Sequence, residues 1–286
     1  MIAVTGATGN LGKLAIDALL KQGVKPQDIV AVIRNKNKAQ DLVSKGITVR
    51  EADYGNSQAL EKALQGADKL LLISGSEVGQ RVSQHTNIVN AAQKAGVQFI
   101  AYTSILRANE SKMELAKEHF ATEKMIENSG ITHAFLRNSW YIENYTEQFG
   151  NTLKSGVIGG AARDGKISAA TRADYAEAAA KVILGDTSKD AIYELGGAAF
   201  TLTELAAVTS KVSGKNIEYK DMPAAEFSKL LTGFGLPSAF AEILADSDVG
   251  IARGDLFTDR DDLKKLLGRN PTSLEEAVKK AVQQYA

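Results

Sequence analysis

The chain reads as an α/β protein: a Rossmann-type doubly wound parallel sheet with a smaller C-terminal α/β subdomain. Three observations predict this. A glycine-rich turn joins the first apolar run to an amphipathic segment. Five further apolar runs then alternate with helical segments through the first half. Glycines stand where those helices return to strands.

The elements follow in order. Ile2–Val4 is the first strand and Leu11–Gln22 the first helix. Ile29–Ile33 is a β-branched strand, followed by a helix over Lys36–Lys45. Ile47–Arg50 precedes the helix Ser57–Leu64, and Leu70–Ile73 precedes Arg81–Ala95. Val97–Thr103 leads into Glu114–Asn128, and Thr132–Leu136 is a sixth strand. Continuous apolar strands between amphipathic helices imply a parallel sheet covered on both faces. Gly23, Gly46, Gly66, Gly96 and Gly130 occupy the positions of C-terminal helix caps.

The pattern changes near Asn144, which divides the chain into a dinucleotide-binding domain, 1–144, and a substrate-side subdomain, 145–286. Gly156, Gly159, Gly160 and Gly165 read as loop. Helices are expected over Ala173–Leu184, Glu204–Val212, Ala224–Leu231 and Ala239–Leu244, with a strand at Ala191–Leu195. Thr201 to Glu204 and Thr272 to Glu275 read as capping boxes, the second opening a helix through Gln284.

Composition excludes several classes. Lys plus Arg equals Asp plus Glu, 34 each, which argues against a general nucleic-acid surface. With no cysteine, disulfides, thiolate metal sites and cysteine nucleophiles are ruled out. The three histidines, His85, His119 and His133, form no close pair in sequence, so a His-rich metal site is not expected. No apolar run approaches the roughly 20 residues that span a bilayer, so no membrane insertion is expected. Met1 leads straight into the glycine turn, leaving no room for a signal peptide. A cytoplasmic chain, monomeric or homodimeric, is the expectation.

The turn is Thr5-Gly6-Ala7-Thr8-Gly9-Asn10-Leu11-Gly12. Between a strand and a helix, this spacing is a dinucleotide fingerprint. Gly6 allows the tight turn, Gly9 the approach of a pyrophosphate, and Gly12 close helix packing. The unpaired N–H groups of the helix's first turn would hold the phosphates. Arg34 ends the second strand, where NAD-binding proteins carry an acid for the ribose hydroxyl. A guanidinium there suits a 2′-phosphate, so NADPH is expected over NADH.

Asp53, after the third strand, reads equally as an adenine contact or as a turn former. Ser74-Gly75-Ser76-Glu77 follows the fourth strand, where small residues leave space for cofactor, although a plain loop reads as well. A short-chain dehydrogenase would place a Ser near Thr103-Ser104, and a Tyr four residues before Lys124. That position is Phe120, so the phenol is missing, and no catalytic residue is assigned. His119 beside it points about 100° away on a helix. Arg137, Asn138, Trp140, Tyr141, Asn144 and Tyr145 follow or end the sixth strand. Aromatic faces there suit a planar substrate and amides a carboxamide, while the segment reads equally as packing.

Thr5 to Gly12, Arg34, Lys69 to Ser74 and Leu136-Arg137-Asn138 resemble the NmrA-like atypical short-chain dehydrogenases. Within these, Ser76 to Arg81, Ala169 to Tyr175 and Leu244 to Gly250 resemble the bacterial type 2 NAD(P)H:quinone oxidoreductases, over essentially the full length. The resemblance implies NADPH in the first half and a quinone beside its nicotinamide. It assigns cofactor contacts to Gly6–Leu11, Arg34, Ser74, Gly75, Ser76 and Glu77, and to Arg137 and Asn138. Tyr141, Asn144 and Tyr145 are the expected substrate contacts. A non-enzymatic dinucleotide sensor, or a reductase of other conjugated acceptors such as dyes, is the alternative.

Overall fold

The computed structural model describes residues 1–75, 77 and 79–285. The first half runs β1 (Ile2–Val4), α1 (Asn10–Lys21), β2 (Ile29–Ile33), α2 (Gln40–Ser44), β3 (Thr48–Glu51), α3 (Ser57–Leu64), β4 (Lys69–Leu72), α4 (Arg81–Ala95), β5 (Phe99–Ile105), α5 (Glu114–Asn128) and β6 (Thr132–Asn138). The second half adds α6 (Glu143–Thr146), α7 (Phe149–Ser155), β7 (Val157–Gly160), α8 (Arg172–Leu184), β8 (Ala191–Leu195), α9 (Leu202–Ser213), β9 (Glu218–Asp221), α10 (Ala224–Gly233), α11 (Ser238–Arg253), α12 (Asp262–Leu267) and α13 (Leu274–Val282).

The main sheet has the order β3-β2-β1-β4-β5-β6-β8. β1 pairs in parallel with both β2 and β4, Ile2 standing opposite Ile29 on one side and Lys69 on the other. The order therefore reverses between β1 and β4, and in such sheets a ligand crevice lies beyond the strands' C-terminal ends at that point. β2 and β5 are buried along their whole length. Val30, Val32, Leu70, Leu72, Ile100 and Tyr102 form a core with Leu60 and Leu64 of α3 and Ile88 and Val89 of α4.

Two compact units emerge, and both are discontinuous in sequence. The first comprises residues Met1–Ile105, Glu118–Arg137 and Tyr175–Tyr193. The second comprises Leu106–Lys117, Asn138–Asp174 and Glu194–Ala286. A single cut at 144 does not describe them. Most of α8 and the start of β8 belong to the first unit, where Lys69 Nζ donates to Ile183 O at 2.8 Å.

Local details depart from the sequence pattern for identifiable reasons. The Lys36–Lys45 helix breaks into a 3₁₀ turn, Lys36–Lys38, and the short α2. Asn35 Oδ1 accepts the Asn37 N–H and starts that turn. The C-terminal capping box is Ser273 with Glu276, one residue later than expected. α11 extends to Arg253 because Asp248, which breaks the apolar pattern, is buried rather than solvated. Val157–Gly160 and Glu218–Asp221, not expected as strands, form a two-stranded parallel sheet. Gly160 is required there, since a Cβ would lie 2.8 Å from Asp248 Oδ2.

The glycines of the fingerprint divide by role. Gly6 has φ +59°, which strains any L side chain. At Gly12 a Cβ would stand 2.2 Å from Gly6 O and 2.8 Å from Ala7 Cα. Gly9 is extended, with φ −76°, and its nearest such neighbour is Gly6 O at 3.2 Å. Gly12→Ala is therefore expected to destabilise the protein by about 1–3 kcal/mol in urea denaturation. Gly9→Ala should stay within about 1 kcal/mol of the parent. A Gly12→Ala protein of parental stability would show that the close approach is not required.

Candidate functional site

Hydroxyl groups fix the strand ends in the first unit. Thr5 N–H donates to Leu71 O at 3.1 Å, and Thr5 Oγ1 accepts the Ile73 N–H at 3.1 Å. Thr103 Oγ1 accepts the Ser74 N–H at 2.9 Å. These bonds set the ends of β1, β4 and β5 where the strand order reverses. α1 starts at the same corner with Gly9 at its N-cap, no side-chain cap and no acidic residue in the first turn. Gly6, Ala7, Thr8, Gly9, Asn10, Leu11 and Gly12 thus form a turn ending in unpaired helix amides. The positive end of the helix dipole adds to them, and the corner fits a dinucleotide pyrophosphate.

Arg34 follows β2 and pairs with Glu77, their side chains 53% and 44% exposed. The pairing raises the Arg34 pKa and lowers that of Glu77. The other Glu77 oxygen accepts from Gln84 Nε2 at 2.6 Å. A guanidinium at this strand end fits a 2′-phosphate. Asp53 Oδ1 accepts the Gly55 N–H at 2.7 Å, so its carboxylate forms a turn. Ser76 lies outside the described residues.

The loop that carries Glu77 is held at both ends by groups that sequence reasoning missed. Gly75 N–H donates to His85 Nε2 at 3.1 Å, and Arg81 Nε donates to Gly75 O at 2.9 Å. Glu118 accepts from Arg81 and from the Gly79 N–H. Thr122 Oγ1 gives its proton to Glu118 O, so it accepts from His85 Nδ1 at 2.9 Å. His85 is therefore the Nδ1–H tautomer, and burial lowers its pKa to about 3. The signal for this clamp is a buried polar network between α4 and α5, which no single segment reveals.

α5 shows which of its residues face the core. Phe120 and Lys124 point outward, the ammonium lying 5.2 Å from the ring centroid and pairing with Glu127. The inward pair is His119 and Glu123, one residue earlier. His119 Nδ1 bonds the Tyr102 hydroxyl at 2.7 Å, and burial lowers its pKa well below the usual value. Glu123 accepts from Ser104 Oγ at 2.6 Å and from Arg137 Nε and Nη2 at 2.9 and 2.7 Å. Arg137, expected at the cofactor, is instead a buried ion pair inside the first unit. Its fork geometry matches the carboxylate, and a buried Glu123 left alone would be costly. His133 stacks on Phe135 at 4.4 Å.

The second unit contains the expected substrate residues. Asn138 is buried with Oδ1 lacking a partner, and so is the Tyr145 hydroxyl. Burial raises the Tyr145 pKa well above the usual value. Each is an unfilled hydrogen bond that a ligand could complete. Arg172 lies over the Tyr141 ring at 5.1 Å, donates to Asn144 Oδ1 at 3.2 Å and pairs with Glu147. It orders two of the three residues through one guanidinium. A cavity of about 530 Å³ in this unit is lined by Arg163, Asp221, Met222, Val249 and Arg253, and not by Tyr141, Asn144 or Tyr145. The orphaned polar atoms, unlike that cavity, mark where hydrogen bonding is incomplete. No helix of the described residues is long and apolar enough to cross a membrane.

The model of the NmrA-like family matches residues 1–276. Quinone oxidoreductase 2 of Escherichia coli is 54% identical over 279 residues, 97% of each chain. The crystal structure of the E. coli NADPH-dependent quinone oxidoreductase complexed with NADPH superposes with a TM-score of 0.95. That match covers 99% of this chain and 100% of the other, at 53% identity. The Citrobacter triphenylmethane reductase complexed with NADP(H) gives a TM-score of 0.93 at 40% identity, covering 98% and 100%.

Buried Asp248 yields a pH prediction for the second unit. Its Oδ2 accepts the Ala161 N–H at 2.8 Å, yet burial raises its pKa to about 7. In the unfolded chain it titrates near 3.9. Between about pH 4 and 7 the folded state keeps a proton that the unfolded state has lost. This group therefore reduces stability as pH rises through that window. Asp248→Asn is expected to gain on the order of 2–4 kcal/mol relative to the parent between pH 5 and pH 8. Denaturation curves at the two pH values check this, and an unchanged difference would contradict it.

Proposed function

The chain belongs to the NmrA-like family, and on that premise we infer that it reduces quinones by direct hydride transfer from NADPH. The observation that carries this reading is the uncapped, acid-free start of α1 beside Arg34, in a chain whose α5 turns His119 and Glu123 inward in place of a phenol and a lysine. The near full-length likeness to the E. coli quinone oxidoreductase supports it. We assign the pyrophosphate to the amides after Gly9, the 2′-phosphate to Arg34, and the nicotinamide half to Ser74 and Gly75. Tyr141, Asn144 and Tyr145 are the proposed quinone contacts. A cytoplasmic setting is part of the same reading, supported by a freely diffusing dinucleotide as reductant.

NADPH supplies the hydride when bound. The chain's own task is to hold two flat rings in register, which converts a bimolecular encounter into an intramolecular step. A quinone accepts hydride readily, and its reduced oxygens are far more acidic than those of an alcohol. It therefore needs little help from a positioned acid. Two residues at the places a short-chain dehydrogenase would use are engaged otherwise: Ser104 bonds Glu123, and Lys124 bonds Glu127.

Two measurements test this. NADPH oxidation, followed at the nicotinamide absorbance with 1,4-benzoquinone, is expected to show saturable turnover; none above background would overturn the reading. Arg34→Ala should weaken NADPH binding roughly 10- to 150-fold, since a charge-assisted contact contributes about 1.5–3 kcal/mol. NADH binding should change less than about threefold, the usual effect of a substitution away from the ligand. Equal losses for both cofactors would refute the 2′-phosphate role.

A further inference from the structure

We propose that Glu77 is a specificity-determining counter-ion that competes with the cofactor's 2′-phosphate for Arg34 and so narrows the preference for NADPH over NADH that Arg34 creates. This rests on the assignment of Arg34 to that phosphate.

Gly75 and Gly79 stand two residues before and after Glu77, and both are tied down. His85 and Arg81 hold the two backbone polar groups of Gly75, and Glu118 holds the Gly79 N–H. Arg81 and Glu118 bind each other at 2.5 Å, with side chains 5% and 18% exposed, so the anchor is rigid. Gln84, on α4, fixes one carboxylate oxygen, and the other faces Arg34 across 43 residues of sequence. A carboxylate already held by an amide loses less freedom on pairing. It is a built counter-ion rather than a chance surface contact.

Its consequence depends on which cofactor arrives. A 2′-phosphate needs the Arg34 guanidinium, and Glu77 already holds it. The phosphate must displace that carboxylate, and the lost ion pair offsets part of the affinity for NADPH. NADH brings a 2′-hydroxyl in place of the phosphate. Arg34 then keeps its partner, and no cation is left uncompensated. A carboxylate close to the ribose is also an acceptor for that hydroxyl, as in proteins with an acid at the end of the second strand. Glu77 therefore narrows the preference that Arg34 creates. Both side chains are about half exposed, so the competition is open to solvent and screened by salt.

Cofactor binding by the full chain, measured by nicotinamide fluorescence for the parent, Glu77→Gln, Arg34→Ala and the double variant, tests this. Glu77→Gln keeps the hydrogen bond to Gln84 within reach and removes the charge. It is expected to tighten NADPH about fivefold or more at low salt, a gain in the range of an exposed charge interaction, while NADH changes less than about twofold. The gain should shrink as salt is raised toward 0.5 M, where screening acts within about 4–5 Å. In the Arg34→Ala background the same substitution should change NADPH affinity by less than about twofold, because the competition has lost its object. Unchanged or weaker NADPH binding in Glu77→Gln, with Arg34→Ala still selective against NADPH, would overturn the role of Glu77 and leave that of Arg34. A full gain that persists without Arg34 would also overturn it, showing direct repulsion of the phosphate. Equal effects of Arg34→Ala on both cofactors would remove the premise itself.

Discussion

The cofactor corner depends on how closely the start of α1 can approach the end of β1. At Gly12 the helix passes so near Gly6 O and Ala7 Cα that even a methyl group has no space. That approach aims the free amides of α1 at the end of the strand where the sheet order reverses. Helix amides without a side-chain cap are ordinarily a weakness. Here the absence of a cap and of first-turn acids leaves the positive helix end for an anion. The turn at Gly6 supplies the geometry, and the hydroxyls of Thr5 and Thr103 keep neighbouring strand ends in step.

The second constraint is what the first unit does with its buried charges. Glu123 occupies the inward face of α5 and collects Ser104 and Arg137. Such a pair contributes less to net stability than its geometry suggests, because both charges must leave water. What it does is commit three polar side chains to one another. His119 is likewise bound to Tyr102 and held neutral by burial. Ser104, His119 and Lys124 are thus all engaged with protein partners, which suits an acceptor whose product oxygens ionise easily.

Much of this was legible in the sequence because it is local. Strand, glycine turn and helix follow one another within a dozen residues, and Arg34 stands directly after a β-branched strand. Glycine caps such as Gly96 and Gly130 have the positive φ that their places imply. What was not legible depends on contacts between distant segments. His85, Arg81 and Glu118 acquire their role from the packing of α4 against α5 and from the loop after β4. Which face of α5 points inward was not legible, since neither Phe120 nor Lys124 shows by itself which way it points. Arg137 looked available only because Glu123, its partner, lies 14 residues away. β7 and β9 were missed because a Gly-Gly pair and a polar run carry little strand pattern, and α11 was cut short because Asp248 is polar yet buried.

The central claim is that quinone reduction here relies on alignment of two rings rather than on a positioned acid. Isotope effects on the reaction with 1,4-benzoquinone address it most directly. With NADPH deuterated at the transferred position, and with D₂O as solvent, the two contributions separate. The account predicts a clear primary effect from the labelled cofactor on kcat/KM, and a solvent effect close to unity across neutral pH. A large solvent effect, together with a single ionisation controlling kcat/KM, would contradict it by showing that a protein acid moves its proton in the rate-limiting step.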